Sequence, residues 1–202
     1  MKAPGRAGSR GAATRARLLQ AAETEFGEKG FHAASVSSIT RLATVSQGTF
    51  YIYFSSKDEI FSTLVGDIGH ALRKHMALAV TGSPSRIAAE RAGLEAFLDF
   101  TQHHRGLYRI IQESQFVDPA AHRDYYQRVA EGYSKGIAQA TRRGELTAGN
   151  AEARAWAIMG IGHFLGLRYC LWQGQAPSRQ VMDDVIDLIA NGMARGRTGA
   201  SA

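Results

Sequence analysis

Residues 35–57 are expected to form two short helices joined by a tight turn, and no other segment constrains the fold as strongly. Ser35 and Ser46 each precede a short helical pattern, where a serine hydroxyl can accept a hydrogen bond from an unpaired backbone N–H. Apolar side chains at helical spacing predict the buried side of the pair: Val36, Ile39, Leu42, Ala43, Phe50, Tyr53 and Phe54. The second helix has only about two turns, so it depends on tertiary packing for its stability.

The second helix also has an outward side that is small and polar at its N-terminal end. The residues expected to point away from the core are Gln47, Gly48, Thr49, Tyr51 and Ile52. A short helix of this kind, held by its neighbour, is what a helix-turn-helix places in the major groove of DNA. The segment therefore predicts a DNA-reading element.

The segment QGTFYIYFSSKDEIF resembles the recognition-helix signature of the TetR family of bacterial transcriptional regulators. The resemblance extends back through TRARLLQAAETEFGEKGFHAASV and covers residues 14–64. One position departs from the family pattern, because Thr44 stands where the family usually has a glycine. Glycine there avoids the steric cost of a positive φ. We therefore expect local strain or a slightly altered turn, with no change of fold.

The resemblance implies an all-α protein of about nine helices in two functional parts. Residues 14–56 are expected to form a three-helix helix-turn-helix DNA-binding domain, and residues 57–202 a helical effector-binding and dimerisation domain. Residues 1–13 are rich in Gly, Ala and Arg and are expected to be a disordered basic tail. That tail either tracks DNA phosphates or has no role.

The resemblance and the outward positions together predict which residues contact double-stranded DNA. These residues are Ser37, Ser46, Gln47, Gly48, Thr49, Tyr51, Ile52, Tyr53 and Lys57. Lys57 is expected to meet a phosphate, so Lys57→Ala should reduce the salt dependence of binding by about one unit. The amide of Gln47 can pair with adenine, so Gln47→Ala should relax one symmetric pair of base positions at a cost of roughly 1–3 kcal/mol.

Positive charge is concentrated in the segment that resembles a DNA reader. Residues 1–57 contain eight Lys and Arg residues and three Glu residues, a net charge of +5. Residues 58–202 contain sixteen basic and fifteen acidic residues, a net charge of +1. Phosphate binding requires such an excess. A basic tail that only aids solubility would explain it as well.

Periodicity and breaks place the remaining helices. Gly30 should end a first helix over residues 14–29, and Asp118 and Pro119 should occupy the N-cap and first position of a seventh helix that runs to Arg143. The other predicted helices cover residues 57–80, 85–103, 107–114, 151–172 and 178–194.

The last two helices predict a close helix–helix contact. AWAIMGIGHFLGLRYCLW is apolar nearly all round and contains Gly160, Gly162 and Gly166, although glycine is unfavourable inside a helix by about 1 kcal/mol. The last helix is expected to bury Val181, Val185, Leu188 and Ile189. In the family these two helices form a four-helix dimer interface, which implies a homodimer. A core within one chain would explain the pattern nearly as well.

Aromatic and polar side chains in the middle helices predict a pocket for a small-molecule effector, the kind of ligand that the resemblance implies. These candidate ligand-binding residues are Phe97, Phe100, His104, Tyr108, Phe116, Tyr125, Trp156 and His163. An apolar pocket with a few polar groups is the usual composition of such a site. Ordinary core packing is the alternative for most of them.

Other classes of protein are poorly supported. The sequence has no Gly-rich phosphate loop, nucleophile elbow or H-E-x-x-H motif, so we expect neither enzymatic activity nor a cofactor. His103 and His104 diverge on a helix, and His163 with Cys170 would supply only two ligands, so we expect no metal. The single cysteine and the lack of a long apolar run predict a cytoplasmic protein without a membrane span.

The sequence therefore predicts a homodimeric transcriptional regulator, a repressor released from a palindromic operator by a small molecule. Two alternatives remain open at this point. One is an architectural DNA-binding protein without an effector, and the other is a helical ligand-binding or enzymatic protein whose DNA-binding half is vestigial. The intact signature at residues 47–57 favours the regulator.

Overall fold

The computed structural model describes residues 6–193, with side chains from Gly11 onward, and every regular element in this part of the chain is helical. The helices are α1 (Arg6–Ala33), α2 (Val36–Leu42), α3 (Gln47–Tyr53), α4 (Lys57–Val80), α5 (Arg86–His103), α6 (Arg105–Val117), α7 (Pro119–Arg142), α8 (Ala151–Leu165) and α9 (Arg179–Asn191), with a π-helical segment (Gly166–Gln173) directly after α8. The predicted all-α fold is confirmed.

Helix α1 begins earlier than the sequence predicted. The predicted disordered tail is wrong from Arg6 onward, because residues 6–13 already belong to α1. Extending an existing helix by one residue is far easier than nucleating one, so α1 can propagate into this Ala- and Arg-containing stretch. The predicted tail residues 1–5 lie outside the described residues. At the other end, Gly30 leaves the helical conformation with a φ of +79°, which agrees with the predicted stop.

The two short helices begin at the predicted caps. The Ser35 hydroxyl accepts a hydrogen bond from Ser38 N at 3.0 Å, and the Ser38 hydroxyl in turn accepts from Ser35 N at 3.1 Å. This is a capping box in which serine takes the place usually held by Glu or Gln. In the turn that follows, Thr44 has a φ of +54°, so the expected strain at this position is present.

The core beneath the two short helices contains most, but not all, of the predicted side chains. Phe26, Ile39 and Phe50 have no exposed surface. The prediction for Leu42 is wrong, because half of its side-chain surface is exposed at the end of α2. Tyr53 is only half-buried. Helical periodicity identifies the apolar side of a helix, but the packing of neighbouring helices determines which residues on that side are buried.

The middle helices agree with the sequence except near α6. Helix α4 has the predicted limits, and Asp118 accepts the backbone N–H groups of Ala120 and Ala121 as the cap of α7. Helix α6 is longer at both ends than the predicted 107–114. It begins at Arg105, since only His104 separates it from α5, and it continues to Val117. Gly144 follows the end of α7 with a φ of +76°.

The apolar helix near the C-terminus is not a continuous α-helix. It changes at Gly166 into the π-helical segment, which ends at Gly174 with a φ of +73°. A Cβ at Gly162 would lie 3.3 Å from Leu94, and one at Gly166 would lie 3.2 Å from Phe97. These two glycines therefore allow close packing on α5 of the same chain, which is the alternative that the sequence left open.

The core-facing side of helix α9 agrees only in part with the sequence prediction. Met182 and Ile186 are buried with Leu94, Leu98 and Cys170. Of the four predicted residues, Leu188 is 38 % exposed and Val181, Val185 and Ile189 are only partly buried. Val185 and Ile189 nevertheless pack against this cluster, so the prediction for α9 is correct for these two residues and incomplete for the side as a whole.

The chain forms two compact units, and each contains residues from separate parts of the sequence. The first comprises the chain up to Leu72 together with His104–Val129, and the second comprises Arg73–His103 together with the chain from Ala130. The predicted boundary after Ser56 does not mark the edge of a compact unit, because the first half of α4 and all of α6 belong to the first unit. As a functional division, that boundary stays a prediction.

Candidate nucleic-acid interface

The N-terminal end of α3 is held by serine and threonine side chains. The Ser46 hydroxyl accepts a hydrogen bond from Thr49 N at 3.1 Å and lies 2.9 Å from the Thr49 hydroxyl. This cap satisfies one of the backbone N–H groups that a helix start leaves without a partner. Ser46 and Thr49 therefore position the predicted reading helix as well as standing at its surface.

Four of the five residues predicted to point outward from α3 are exposed, and the fifth, Thr49, is half-buried. Gln47 and Gly48 are exposed, Tyr51 is 57 % exposed and Ile52 is 76 % exposed. An added Cβ at Gly48 would have one neighbour within 4 Å, the Ser46 hydroxyl at 3.8 Å. The surface therefore combines an amide, a bare backbone position, a phenol and a branched alkyl group. These groups can read hydrogen-bonding edges and thymine methyls in a major groove.

Helix α1 supports the C-terminal end of α3. The Tyr53 hydroxyl lies 3.4 Å from the Cβ position of Gly11, and the Arg15 guanidinium lies 5.3 Å from the centre of the Phe54 ring. Arg15 is itself exposed, so a cation stands beside the end of the reading helix. Arg15 is not among the DNA-contacting residues predicted from the sequence, although its place one turn before Leu18 on the first amphipathic helix was a usable signal.

Lys57 has partners within the protein. Its Nζ donates hydrogen bonds to the carbonyl oxygens of Phe31 at 2.7 Å and Ala34 at 2.9 Å, and it lies 4.2 Å from the centre of the Phe31 ring. In this arrangement the ammonium stabilises the turn between α1 and α2. The predicted phosphate contact of Lys57 stays a prediction.

A buried carboxylate joins α1 to α2 beneath the interface. Glu25 is 2 % exposed, and its Oε1 accepts a hydrogen bond from Lys29 at 2.6 Å. Burial by itself raises the pKa of this carboxyl, but hydrogen bonds from Lys29 and Ser38 and the charges of Lys29 and Arg41 outweigh burial and hold the pKa below its ordinary value. Glu25 is therefore ionised and pairs with the basic side chains around it.

The predicted effector residues do not form one group within a single unit. His104, Tyr108, Phe116 and Tyr125 belong to the first unit, whereas Phe97, Phe100, Trp156 and His163 belong to the second. Tyr108 and Tyr125 are buried, but Phe116 is 81 % exposed and Trp156 is 43 % exposed. Sequence spacing could not reveal this division, because the two units interleave along the chain. The effector role of these residues stays a prediction.

The second unit contains an open cavity of about 570 Å³ that includes none of the predicted effector residues. It is lined by Arg91, Glu95, Pro177, Arg179, Met182 and Asp183. Asp183 accepts a hydrogen bond from Arg91 at 2.7 Å and lies 3.9 Å from Arg179. The opposite charges in this cavity therefore largely compensate each other.

Residues 6–193 contain neither a cluster of metal ligands nor a membrane-spanning helix. No group of three or more His, Cys, Asp or Glu side chains in this range has the geometry to hold a metal ion. None of its helices is both long and apolar enough to cross a membrane.

Comparison with known proteins places the interface in a family. The sequence model for "Bacterial regulatory proteins, tetR family" matches residues 18–64, which extend from α1 through α2 and α3 into α4. The uncharacterized HTH-type transcriptional regulator YdgC of Bacillus subtilis is 47 % identical over 66 residues, 33 % of this chain and 34 % of that protein. The HTH-type transcriptional activator FasR of Mycolicibacterium smegmatis is 36 % identical over 111 residues, 51 % of this chain and 47 % of that protein. The chain thus matches between a third and a half of the length of these two relatives.

A solved structure extends the likeness of fold to most of the chain. The transcriptional regulator FadR of Bacillus subtilis, crystallised with stearoyl-CoA, has a TM-score of 0.77. The match covers 89 % of this chain and 99 % of that one, at 16 % sequence identity. At this identity the likeness concerns the fold alone. Residues 18–64 are therefore similar in sequence to the helix-turn-helix segment of the TetR family of bacterial regulatory proteins, and most of the chain shares the helical fold of the solved regulator.

Proposed function

We propose that this protein is a sequence-specific DNA-binding transcriptional regulator that reads a palindromic operator as a homodimer and is released by a small-molecule effector. The observation that carries the proposal is the exposed side of α3, where Gln47, Gly48, Tyr51 and Ile52 face solvent on a helix that Ser46 caps. The excess of basic residues over residues 1–57 supports an anionic partner.

Two-fold symmetry follows from the size of the reading element. One short helix contacts only a few base pairs, whereas a symmetric dimer doubles the contacts and matches an inverted repeat. The described residues offer an apolar face for a second copy: Trp156 and Phe164 on α8, Trp172 in the π-helical segment and Leu188 on α9 are between 38 % and 73 % exposed. Large exposed apolar side chains on neighbouring elements are typical of an interaction surface.

The released state requires a ligand that binds one placement of the reading helices better than the other. A coupling free energy of about 1–3 kcal/mol would weaken operator binding 5- to 150-fold. The stearoyl-CoA in the Bacillus subtilis FadR structure makes long-chain acyl-CoA thioesters the first class of compound to test. If the regulator has no effector, its operator affinity should be the same in the presence and in the absence of every compound tested.

The test is genomic footprinting with the full chain, followed by selection from randomised DNA at several salt concentrations. We expect an inverted repeat, and we expect transcript levels of the neighbouring genes to rise when the gene for the protein is deleted. A fall in transcript levels would make the protein an activator. Protection of DNA without sequence preference would favour an architectural protein, and failure to bind DNA at moderate salt would exclude the proposal.

A further inference from the structure

The last turn of α1, directly before α2, is capped from outside by two charged side chains. Helix α1 is kinked at Gly30, and a single helical turn follows the kink, in which Ala34 N donates to Gly30 O at 3.2 Å. Phe31 N lies at the start of this turn, where an N–H precedes the acceptors that the turn itself can offer. A buried or half-buried N–H in this position needs a partner from elsewhere.

Glu113 of α6 supplies that partner, although it lies 82 residues away in sequence. Its Oε2 accepts the Phe31 N–H at 2.8 Å, and its Oε1 would lie 2.5 Å from a Cβ at Gly30. The carboxylate therefore lies directly against the bare Cα of Gly30, and a Cβ at this position would displace the carboxylate. The recorded polar partner of this carboxylate is the backbone of Phe31.

The opposite end of the same turn is held by Lys57, which donates to the carbonyls of Phe31 and Ala34. A carboxylate at the N-terminal end of a helical turn and an ammonium at its C-terminal end both match the direction of the peptide dipoles. The two side chains thus fix the turn that leads into α2 and α3. Since α2 begins two residues after Ala34, the position of the reading pair depends on this turn.

Helix α6 is fitted to α1 along one side, so Glu113 does not act from a mobile position. Gly106, Arg109 and Glu113 recur at spacings of three and four on α6. A Cβ at Gly27 would lie 2.9 Å from the Gly106 Cα, and the Arg109 guanidinium donates to Gly27 O at 3.0 Å. The two backbones are therefore in direct contact two turns before Glu113, and the Arg109 side chain joins the two helices one turn before it.

We propose that Glu113 is a positioning residue for operator binding, which acts by holding the Gly30–Ala34 turn and, through it, the α2–α3 pair in the geometry that fits DNA. This inference rests on the proposed function and adds a residue that contacts neither DNA nor effector. Glutamine at position 113 keeps an acceptor oxygen for Phe31 N, whereas alanine leaves that N–H without one.

The experiment compares wild type, Glu113→Ala and Glu113→Gln with Gln115→Ala as a matched control. Gln115 is exposed on the same helix and donates only to Gln112 O one turn back. Operator affinity is measured at a temperature at which circular dichroism shows every variant to be fully folded. Amide hydrogen exchange is followed for the segment that contains Phe31.

We expect Glu113→Ala to exchange the Phe31 amide faster and to bind the operator about tenfold more weakly, within the usual range of coupling between distant sites. Glu113→Gln and Gln115→Ala should behave like wild type in both measurements. Wild-type affinity in folded Glu113→Ala, or an equal loss in Gln115→Ala, would overturn the inference. A wild-type protein that binds no DNA would instead overturn the proposed function, and the inference with it.

Discussion

Gly48 lies on the exposed side of α3, and a side chain there would meet nothing within the protein closer than the Ser46 hydroxyl, 3.8 Å away. Alanine is favoured over glycine inside a helix by about 1 kcal/mol. Gly48→Ala should therefore raise the melting temperature while weakening operator binding, because the added methyl group separates the backbone from the DNA. The measurements are thermal unfolding and operator affinity.

Gly66→Ala is the matched control, because Gly66 is exposed in α4 with no atom near its Cβ position. It should raise the melting temperature without changing DNA binding. Equal operator affinity for Gly48→Ala and wild type would show that α3 does not approach DNA at this position.

Lys57 requires a different prediction from the one that its sequence context supports. Its ammonium donates to two carbonyls within the protein. Lys57→Ala should therefore lower the melting temperature and weaken binding to all sequences, while the slope of log affinity against log salt stays unchanged. A phosphate contact would instead reduce that slope by about one unit. Binding titrations at several salt concentrations separate the two roles.

At the scale of single elements, the cap of α7 predicts an acid-dependent contribution to stability. Asp118 accepts hydrogen bonds from the backbone of Ala121, from the Ser62 hydroxyl and from the backbone of Ala120, and these hold its pKa below its ordinary value of about 3.9. A carboxyl group whose pKa is lower in the folded state than in the unfolded state stabilises the protein at pH values above the unfolded pKa. This stabilisation is lost as the pH falls through the folded pKa.

Asp118→Asn should therefore lower stability at neutral pH and flatten the decline of stability below about pH 4. Urea unfolding measured from pH 7 downward tests this. Parallel curves for Asp118→Asn and wild type would contradict the assignment.

Helix α8 allows the two sides of one helix to be tested separately. Trp156, Gly160 and Phe164 recur at spacings of four, and a Cβ at Gly160 would meet no atom within 4 Å. Gly160→Leu or Phe164→Glu should leave the folded monomer intact but dissociate the dimer and weaken operator binding. Sedimentation velocity gives the assembly state.

Gly162→Val is the informative contrast, because Gly162 contacts Leu94 and Phe97 of the same chain. Gly162→Val should lower the melting temperature and leave the assembly state unchanged, because overpacking of a core typically destabilises the fold by about 1–3 kcal/mol. A Phe164→Glu protein that remains dimeric would show that a different surface joins the two copies.

At the scale of the whole molecule, a two-fold assembly makes half-site spacing a geometric requirement. B-DNA completes a turn in about 10–10.5 base pairs, so inserting about five between the half-sites places them on opposite faces of the duplex. We expect this insertion to abolish cooperative binding, and a full-turn insertion to restore part of it only if the dimer can span the added length. Equal binding to all spacings would indicate independent monomers.

Local hydrogen bonding and periodicity made part of this structure predictable. Ser35, Ser46 and Asp118 were assigned as caps from their side chains alone, and each caps the expected helix. The limits of α4 followed from neighbouring residues in the same way, whereas the strain at Thr44 followed from the family resemblance, which has glycine at this position. The exposed residues of α3 were likewise identified from their spacing along one short helix.

Only the tertiary structure decided what lies opposite each of these surfaces. It placed Lys57 on carbonyls of the α1–α2 turn, brought Glu113 to Phe31 across 82 residues, and packed Gly162 on Phe97 within one chain. It also assigned the predicted effector residues to two interleaved units. Caps, turns and helical periodicity depend on contacts within about four residues, so the sequence alone determined them. Partners distant in sequence depend on which helices pack together, and periodicity shows that a side is apolar without showing what covers it.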